Sequence, residues 1–126
     1  MTDTVYPTED RIWGRFSNLF QDSNVKVKEL IVDPGKGISY QRHFKRNELW
    51  YVSKGECYLR VAEPDHPEVS EILHLKAGDA PIIIPVKEWH QVYNKSDLPC
   101  HIIEIQYGEA TVEEDIERLE LYDEQK

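Results

Sequence analysis

Between residues 25 and 107 the chain breaks into short β-type segments punctuated by Gly, Pro, Asn and Asp, and this rhythm constrains the fold more than any other feature. Short strands at close spacing, with turn residues between them, are the signature of an all-β sandwich or barrel. The segments read as strands over 25–32, 38–43, 49–53, 57–62, 69–75, 80–84, 90–93 and 100–106. Ser53, Lys54, Gly55 and Glu56 make the sharpest turn, where glycine supplies the positive φ of a tight hairpin. In Val25, Val27, Leu30 and Val32 the apolar phase slips once, which predicts a bulge that curves the strand and favours closure of the sheet.

Two regions flank this core. Residues 1–24 mix polar residues with Trp13, Phe16, Leu19 and Phe20, a composition that predicts an arm packed across the barrel. From Glu109 to Lys126 there are eight acidic and two basic residues, so -6 of the net charge of -9 falls in this stretch. Ile116, Leu119 and Leu121 give it a weak helical stripe, which predicts a short helix laid on the barrel. The division is then an arm over 1–24, a barrel over 25–107 and an acidic segment over 108–126. All three belong to one domain, because 126 residues suffice for a single core.

The charge balance also removes partners. With 24 acidic against 15 basic residues the chain lacks the basic field that nucleic acids and anionic membranes require. Its longest run free of charged and polar side chains, Ala80 to Val86, holds two prolines and falls far short of the ~20 residues that span a bilayer. Cys57 and Cys100 lack a second pair with which to clip zinc and read as small buried apolar side chains, which fits a reducing, cytoplasmic address.

Chemistry enters through a second set of spacings. Gly35 is followed after five residues by Gln41, then His43, Glu48 and, after six more, Gly55; further on come Gly78, Pro85, His90 and Asn94. Alternate side chains of a strand share a face, so Gln41 and His43 point the same way, Glu48 returns alongside them after a turn, and His90 starts another strand. Two imidazoles, a carboxylate and an amide oxygen suit one divalent cation: zinc foremost, with manganese, cobalt, nickel or iron(II) as alternatives.

These spacings resemble the cupin superfamily. Its first motif runs Gly, five residues, His, one, His, three or four, Glu, six, Gly; its second ends in Pro, one, Gly, two, His, three, Asn. Gln41 stands at the first histidine and Lys87 at the glycine of the second motif. Glutamine at that position is similar to the type II mannose-6-phosphate isomerases. So are Arg11, Trp13 and Gly14 at the start, the core from Ser39 to Trp50, and a tail of Gln106, Gly108, Glu109, Glu114, Asp115, Ile116 and Arg118. Lys45 and Leu49 replace histidines of that core.

The resemblance implies a jelly-roll-like cupin barrel and metal-dependent interconversion of mannose 6-phosphate and fructose 6-phosphate. Such chemistry needs a Lewis acid on the sugar's O1 and O2 and a base that moves the proton from carbon 2 to carbon 1. Lys45, in a desolvated barrel mouth, and Glu104, on a strand face with Gln106, are the candidate bases. Arg118, Arg46 and Arg11 are the candidates for the phosphate, because guanidinium forks suit it better than ammonium groups. If the Lys45 amine lay about 4 Å from a dication, the repulsion would be on the order of 8 kcal/mol at an effective dielectric of ~20, so it must point away, stay neutral or replace the metal. The alternatives are therefore a cupin that binds a sugar without turnover and an iron(II) cupin oxygenase. The arm and free sheet edges also invite homodimerisation.

Overall fold

The computed structural model describes residues 6–122. Eleven strands run in order: β1 (Thr8–Arg11), β2 (Gly14–Gln21), β3 (Val25–Val32), β4 (Tyr40–Arg42), β5 (Arg46–Lys54), β6 (Glu56–Ala62), β7 (Ser70–Lys76), β8 (Ile82–Ile84), β9 (Trp89–Tyr93), β10 (Cys100–Gly108) and β11 (Glu117–Glu120). They form two antiparallel sheets, one ordered β1-β2-β3-β10-β5-β8 and the other β11-β4-β9-β6-β7. The all-β expectation holds, and the eight strands read between 25 and 107 correspond to β3 to β10. Among the described residues no strand pairing joins the two sheets, so they face each other as a sandwich-like barrel rather than a closed one.

Inward-facing residues divide into two halves along the strands. One half is apolar: Val32, Leu59, Val92, Cys100 and Ile102 are completely buried between the sheets, each contributing roughly 1.5–3 kcal/mol for the larger side chains. Cys57 and Cys100 are free thiols within it. The other half is polar, with Lys26, Lys28, Arg46, Glu48, Glu104 and Gln106 all buried on the inner face of the six-stranded sheet. Register explains their meeting, since Gln106 lies opposite both Lys26 and Glu48, and Glu104 lies opposite Lys28 and Trp50. This half holds the site.

Four sequence expectations need correction. The turn at Gly55 is not a hairpin: β5 pairs with β10 and β8, whereas β6 pairs with β7 and β9, so the turn carries the chain from one sheet to the other. Glycine is still required, because φ is 81° and a Cβ would lie 2.7 Å from the Pro99 carbonyl oxygen. The bulge lies not in β3, which alternates strictly, but in its partner β2 between Asn18 and Phe20. The apolar phase of β3 slips only because Lys26 and Lys28 take inward positions.

The arm is a hairpin, β1 and β2, added to the edge of the six-stranded sheet through β3. The C-terminal helix is replaced by strand β11, paired with the free edge of β4. Leu119 and Leu121 stay about half exposed, so the helical stripe has no core to bury against. Glu117 and Glu120 instead bond Arg42 and Arg60 at 2.7 Å each, and the edge of β4 satisfies the backbone. Residues 1–5 of the arm and 123–126 of the acidic segment lie outside the described residues. Among the described residues no helix is long and apolar enough to cross a membrane.

Lys87 takes a left-handed backbone conformation with φ 68°, and its amide donates to the His43 carbonyl at 2.6 Å. An L-residue there costs about 1–2 kcal/mol, which glycine avoids at some entropic expense. Lys87→Gly is therefore expected to raise unfolding stability by up to about 1 kcal/mol, read as a higher urea midpoint at unchanged slope. A lower midpoint would show that the lysine side chain outweighs the backbone strain.

Candidate metal centre

β4 and β9 lie side by side with Gln41 opposite His90. His43 follows β4 directly, and β5 brings Glu48 across from the facing sheet. His43, Glu48 and His90 are buried, and their ligand atoms all lie within 4.8 Å of one another. His43 Nε2 is 3.4 Å from one Glu48 oxygen and His90 Nε2 is 3.5 Å from the other.

The far ring nitrogens settle the tautomers. His43 Nδ1 lies 2.7 Å from the Asp115 carbonyl and His90 Nδ1 lies 3.1 Å from the Glu88 carbonyl. A carbonyl only accepts, so both Nδ1 atoms carry the proton and both Nε2 lone pairs face the Glu48 carboxylate. Burial, the repulsion between the two rings and the Arg46 charge hold His43 down to about 3, and burial holds His90 at about 4, so neither ring is protonated near neutrality. Three electron-pair donors thus converge, and none of them turns a proton of its own toward the others. His90 Nε2, buried and lacking a hydrogen-bond partner among the described residues, is the clearest sign that a cation belongs there. The donor set fits a divalent ion.

Gln41 reaches the same place differently. Its Oε1 accepts from Ser39 Oγ at 2.8 Å and its Nε2 lies 3.4 Å from His43 Nε2. As placed it presents its amide nitrogen to the triad, and ligation by its oxygen would need the amide to turn over. Asn94 takes no part in the cluster: its side chain donates to the carbonyls of Val32 and Leu98 and accepts from Ser96, fastening the loop beyond β9.

Arg46 enters the cluster itself. Its Nε donates to Glu48 at 2.9 Å and its Nη2 lies 3.2 Å from His43 Nε2. It is buried and committed, so it does not stand free as a phosphate fork. Trp50 completes the surroundings by donating Nε1–H to Glu48 at 3.1 Å. Period two along β5 puts positions 46, 48 and 50 on one face, which is the signal by which sequence reasoning could have found Arg46 at the centre.

A cavity of about 380 Å³ opens beside this centre. Gln41, Arg46 and Trp50, which touch the triad, form its inner wall, with Glu104 and Gln106 beside them and Arg11 and Arg118 at exposed positions. Burial and then the Glu48 charge raise the Glu104 carboxyl to about 7, against the opposing pull of Lys28, Arg46 and the Gln106 amide. Gln106 Nε2 donates to it at 2.6 Å. Lys45 does not line the cavity: it is exposed on the turn after β4, and its backbone amide bonds the Asp115 carboxylate. The expected desolvated lysine base is thereby corrected, because residue 45 is out of phase with 46 and 48.

Sequence reasoning placed Arg118 of the acidic segment at the site but missed two of its neighbours. Asp115 orients His43, and Glu113 lines the cavity while bonding Lys26 at 3.2 Å and Lys28 at 2.7 Å. No local pattern connects residues 72 or more positions apart.

The family model for the mannose-6-phosphate isomerase C-terminal domain matches residues 2–121. The chain is 34% identical over 110 residues to a mannose-1-phosphate guanylyltransferase of Salmonella muenchen, covering 87% of this chain and 22% of that protein. It is 31% identical over 110 residues to the alginate biosynthesis protein AlgA of Pseudomonas putida, covering 87% and 21%. The chain therefore spans about a fifth of the length of these relatives. In fold it is similar to the capsular polysaccharide assembling protein CapF of Staphylococcus aureus, with TM-score 0.80, 18% identity and coverage of 94% of this chain and 35% of the other. The oxalate decarboxylase of Lactobacillus farciminis gives 0.75, 17%, 90% and 33%. The architecture is the cupin fold.

Proposed function

The chain belongs to the mannose-6-phosphate isomerase C-terminal family, and we propose that it is a metal-dependent aldose–ketose isomerase of a sugar phosphate, of the mannose 6-phosphate to fructose 6-phosphate type. The observation that carries this reading is the convergence of two neutral imidazoles and a carboxylate around the unpartnered His90 Nε2, beside a cavity lined by a near-neutral carboxyl and arginines. His43, Glu48 and His90 would hold the ion, with Gln41 as fourth ligand once its amide turns. A divalent ion held there would supply Lewis acidity for the sugar's O1 and O2.

The chain's own residues do the rest. Glu104, held near 7, takes the proton from carbon 2 and returns it at carbon 1 while the hydroxyl proton passes from O2 to O1, and the lining of Trp50 and Leu30 keeps bulk water away. Arg118, carried by β11 opposite Gln41, has no ion pair among the described residues and is available to the phosphate. Arg11 is partly engaged with Glu9 and its own strand. Arg118→Ala is expected to raise KM for a phosphorylated sugar by about 10-fold or more, the worth of a charge-assisted hydrogen bond, with little effect on a neutral sugar. Equal effects on both would remove its phosphate role.

One observation favours a second reading, a cupin that binds sugar without turnover. The Arg46 guanidinium already serves His43 and Glu48 and must swing away if a dication is to be approached by substrate. The deciding experiment measures the metal content of the purified chain and its conversion of mannose 6-phosphate, before and after chelation. One divalent ion per chain with turnover lost on chelation and restored by zinc supports the isomerase. A metal-free chain that binds the sugar phosphate but does not convert it supports the second reading.

A further inference from the structure

We infer that Gln106 determines sugar specificity: its amide oxygen accepts a hydrogen bond from the hydroxyl on carbon 3 of the bound sugar. For the class of ligand this rests on the isomerase reading. β10 carries Gln106 inward to the cavity wall, where it is 1% exposed. Its Nε2 donates to a Glu104 oxygen at 2.6 Å. A carboxylate only accepts, so the amide oxygen is the end turned away from Glu104. That oxygen, Oε1, is buried and has no hydrogen-bond partner among the described residues. Burial keeps bulk water from standing in, and a buried acceptor without a donor weakens the fold unless it serves a ligand.

The neighbouring donors are directed elsewhere. Lys26 lies opposite Gln106 across the strands but turns its ammonium to the Thr111 carbonyl and Glu113. Lys28 serves Glu113 as well, and Arg46 and Trp50 serve the residues of the metal centre. The missing donor therefore arrives with the ligand. An ionised phosphate offers acceptor oxygens and negative charge, so the hydroxylated end of a sugar phosphate is the part that suits Oε1. One amide links both contacts, so a hydroxyl held by Oε1 lies beside the carboxyl that works at carbons 1 and 2. O1 and O2 go to the ion, which leaves the hydroxyl of carbon 3 as the first one free to donate. A site built to bind a hydroxyl rejects sugars that lack it, because its own buried group is then left unpaired.

The test is calorimetric titration of the full zinc-loaded chain with mannose 6-phosphate and with its 3-deoxy and 4-deoxy derivatives. It is run at pH 8, above the value of about 7 at which the Glu104 carboxyl ionises. The 3-deoxy derivative is expected to bind about 10–100-fold more weakly than the parent, and the 4-deoxy derivative within about 3-fold of it. In Gln106→Met, which keeps an unbranched side chain and removes both ends of the amide, the parent and the 3-deoxy derivative are expected to bind within about 3-fold of each other. Circular dichroism verifies the fold of the variant, and the three ligands on the unmodified chain decide the matter without it. Equal binding of the parent and the 3-deoxy derivative, a larger loss for the 4-deoxy derivative, or discrimination retained by the folded variant would each overturn the inference. Discrimination by a chain that does not convert mannose 6-phosphate would sink the isomerase reading and leave Gln106 its role in binding, whereas no binding of mannose 6-phosphate at all would sink both.

Discussion

Glu48→Ala is expected to abolish stoichiometric metal binding and to lower unfolding stability by about 3–5 kcal/mol. Both effects come from one carboxylate. Its two oxygens face His43 and His90 at 3.4 and 3.5 Å and accept hydrogen bonds from Arg46 and Trp50. Without it the Arg46 charge, 5% exposed, remains buried with only an imidazole and a distant carbonyl, and an uncompensated buried charge carries that cost. His90→Ala separates the two contributions: it removes a neutral ring, so metal is lost with a smaller stability change. Arg46→Met acts oppositely on the centre, since it withdraws a cation from His43 and Glu48 and is expected to tighten zinc binding. Calorimetric titration with zinc and urea unfolding of each chelated variant read the two effects independently. Retention of one ion per chain in both Glu48→Ala and His90→Ala would dismantle the metal centre as assigned.

The positions of the strands were readable because turn residues mark their ends whatever the strands later pair with. Pairing itself was not local. Gly55 announces a turn, but only the location of β10 and β9 decides that the turn joins two sheets instead of forming a hairpin. Lys26 and Lys28 misled the reading of β3 because lysine ordinarily faces water, and the groups that make their burial tolerable, Glu113 and the Thr111 carbonyl, lie in the C-terminal segment. That segment misled in turn: its helical stripe was real in spacing, yet the free edge of β4 with Arg42 and Arg60 offered a better partner than any apolar surface.

The site followed the same division. Period two pointed Gln41 and His43 the same way, but Glu48 does not return alongside them: it meets them from the facing sheet, while His90 sits opposite Gln41 in the register. The same period, applied to residue 46, would have placed Arg46 beside Glu48 and left Lys45 facing outward. What spacing could not show is which way the Gln41 amide turns, because that depends on Ser39.

Glu104→Gln is expected to reduce turnover of the metal-loaded enzyme by about 10²–10⁴-fold while making the metal-free protein more stable above pH 7. The stability effect follows from linkage. A carboxyl held at about 7 against an ordinary value of 4.5 keeps its proton in the folded state, so its contribution is full below pH 4.5 and is lost as pH rises through 7. That loss is on the order of 3 kcal/mol. His43 and His90 run the other way: held at about 3 and 4 against 6.5, they contribute fully above pH 6.5, and that stability disappears as pH falls. Two imidazoles outweigh one carboxyl, so the unmodified metal-free protein loses stability between pH 6.5 and 4.5 at about 1.4 kcal/mol per pH unit, and the glutamine variant at about twice that slope. Glu113, held at about 2 by Lys28 and Lys26 despite partial burial, contributes alike in both proteins and leaves the comparison clean. Urea unfolding of both chelated proteins at pH 5, 6 and 8, with turnover of the reloaded proteins at pH 8, measures every part of the expectation. Parallel stability curves would show that Glu104 is already ionised when buried, and unchanged turnover would move the proton transfer to another group.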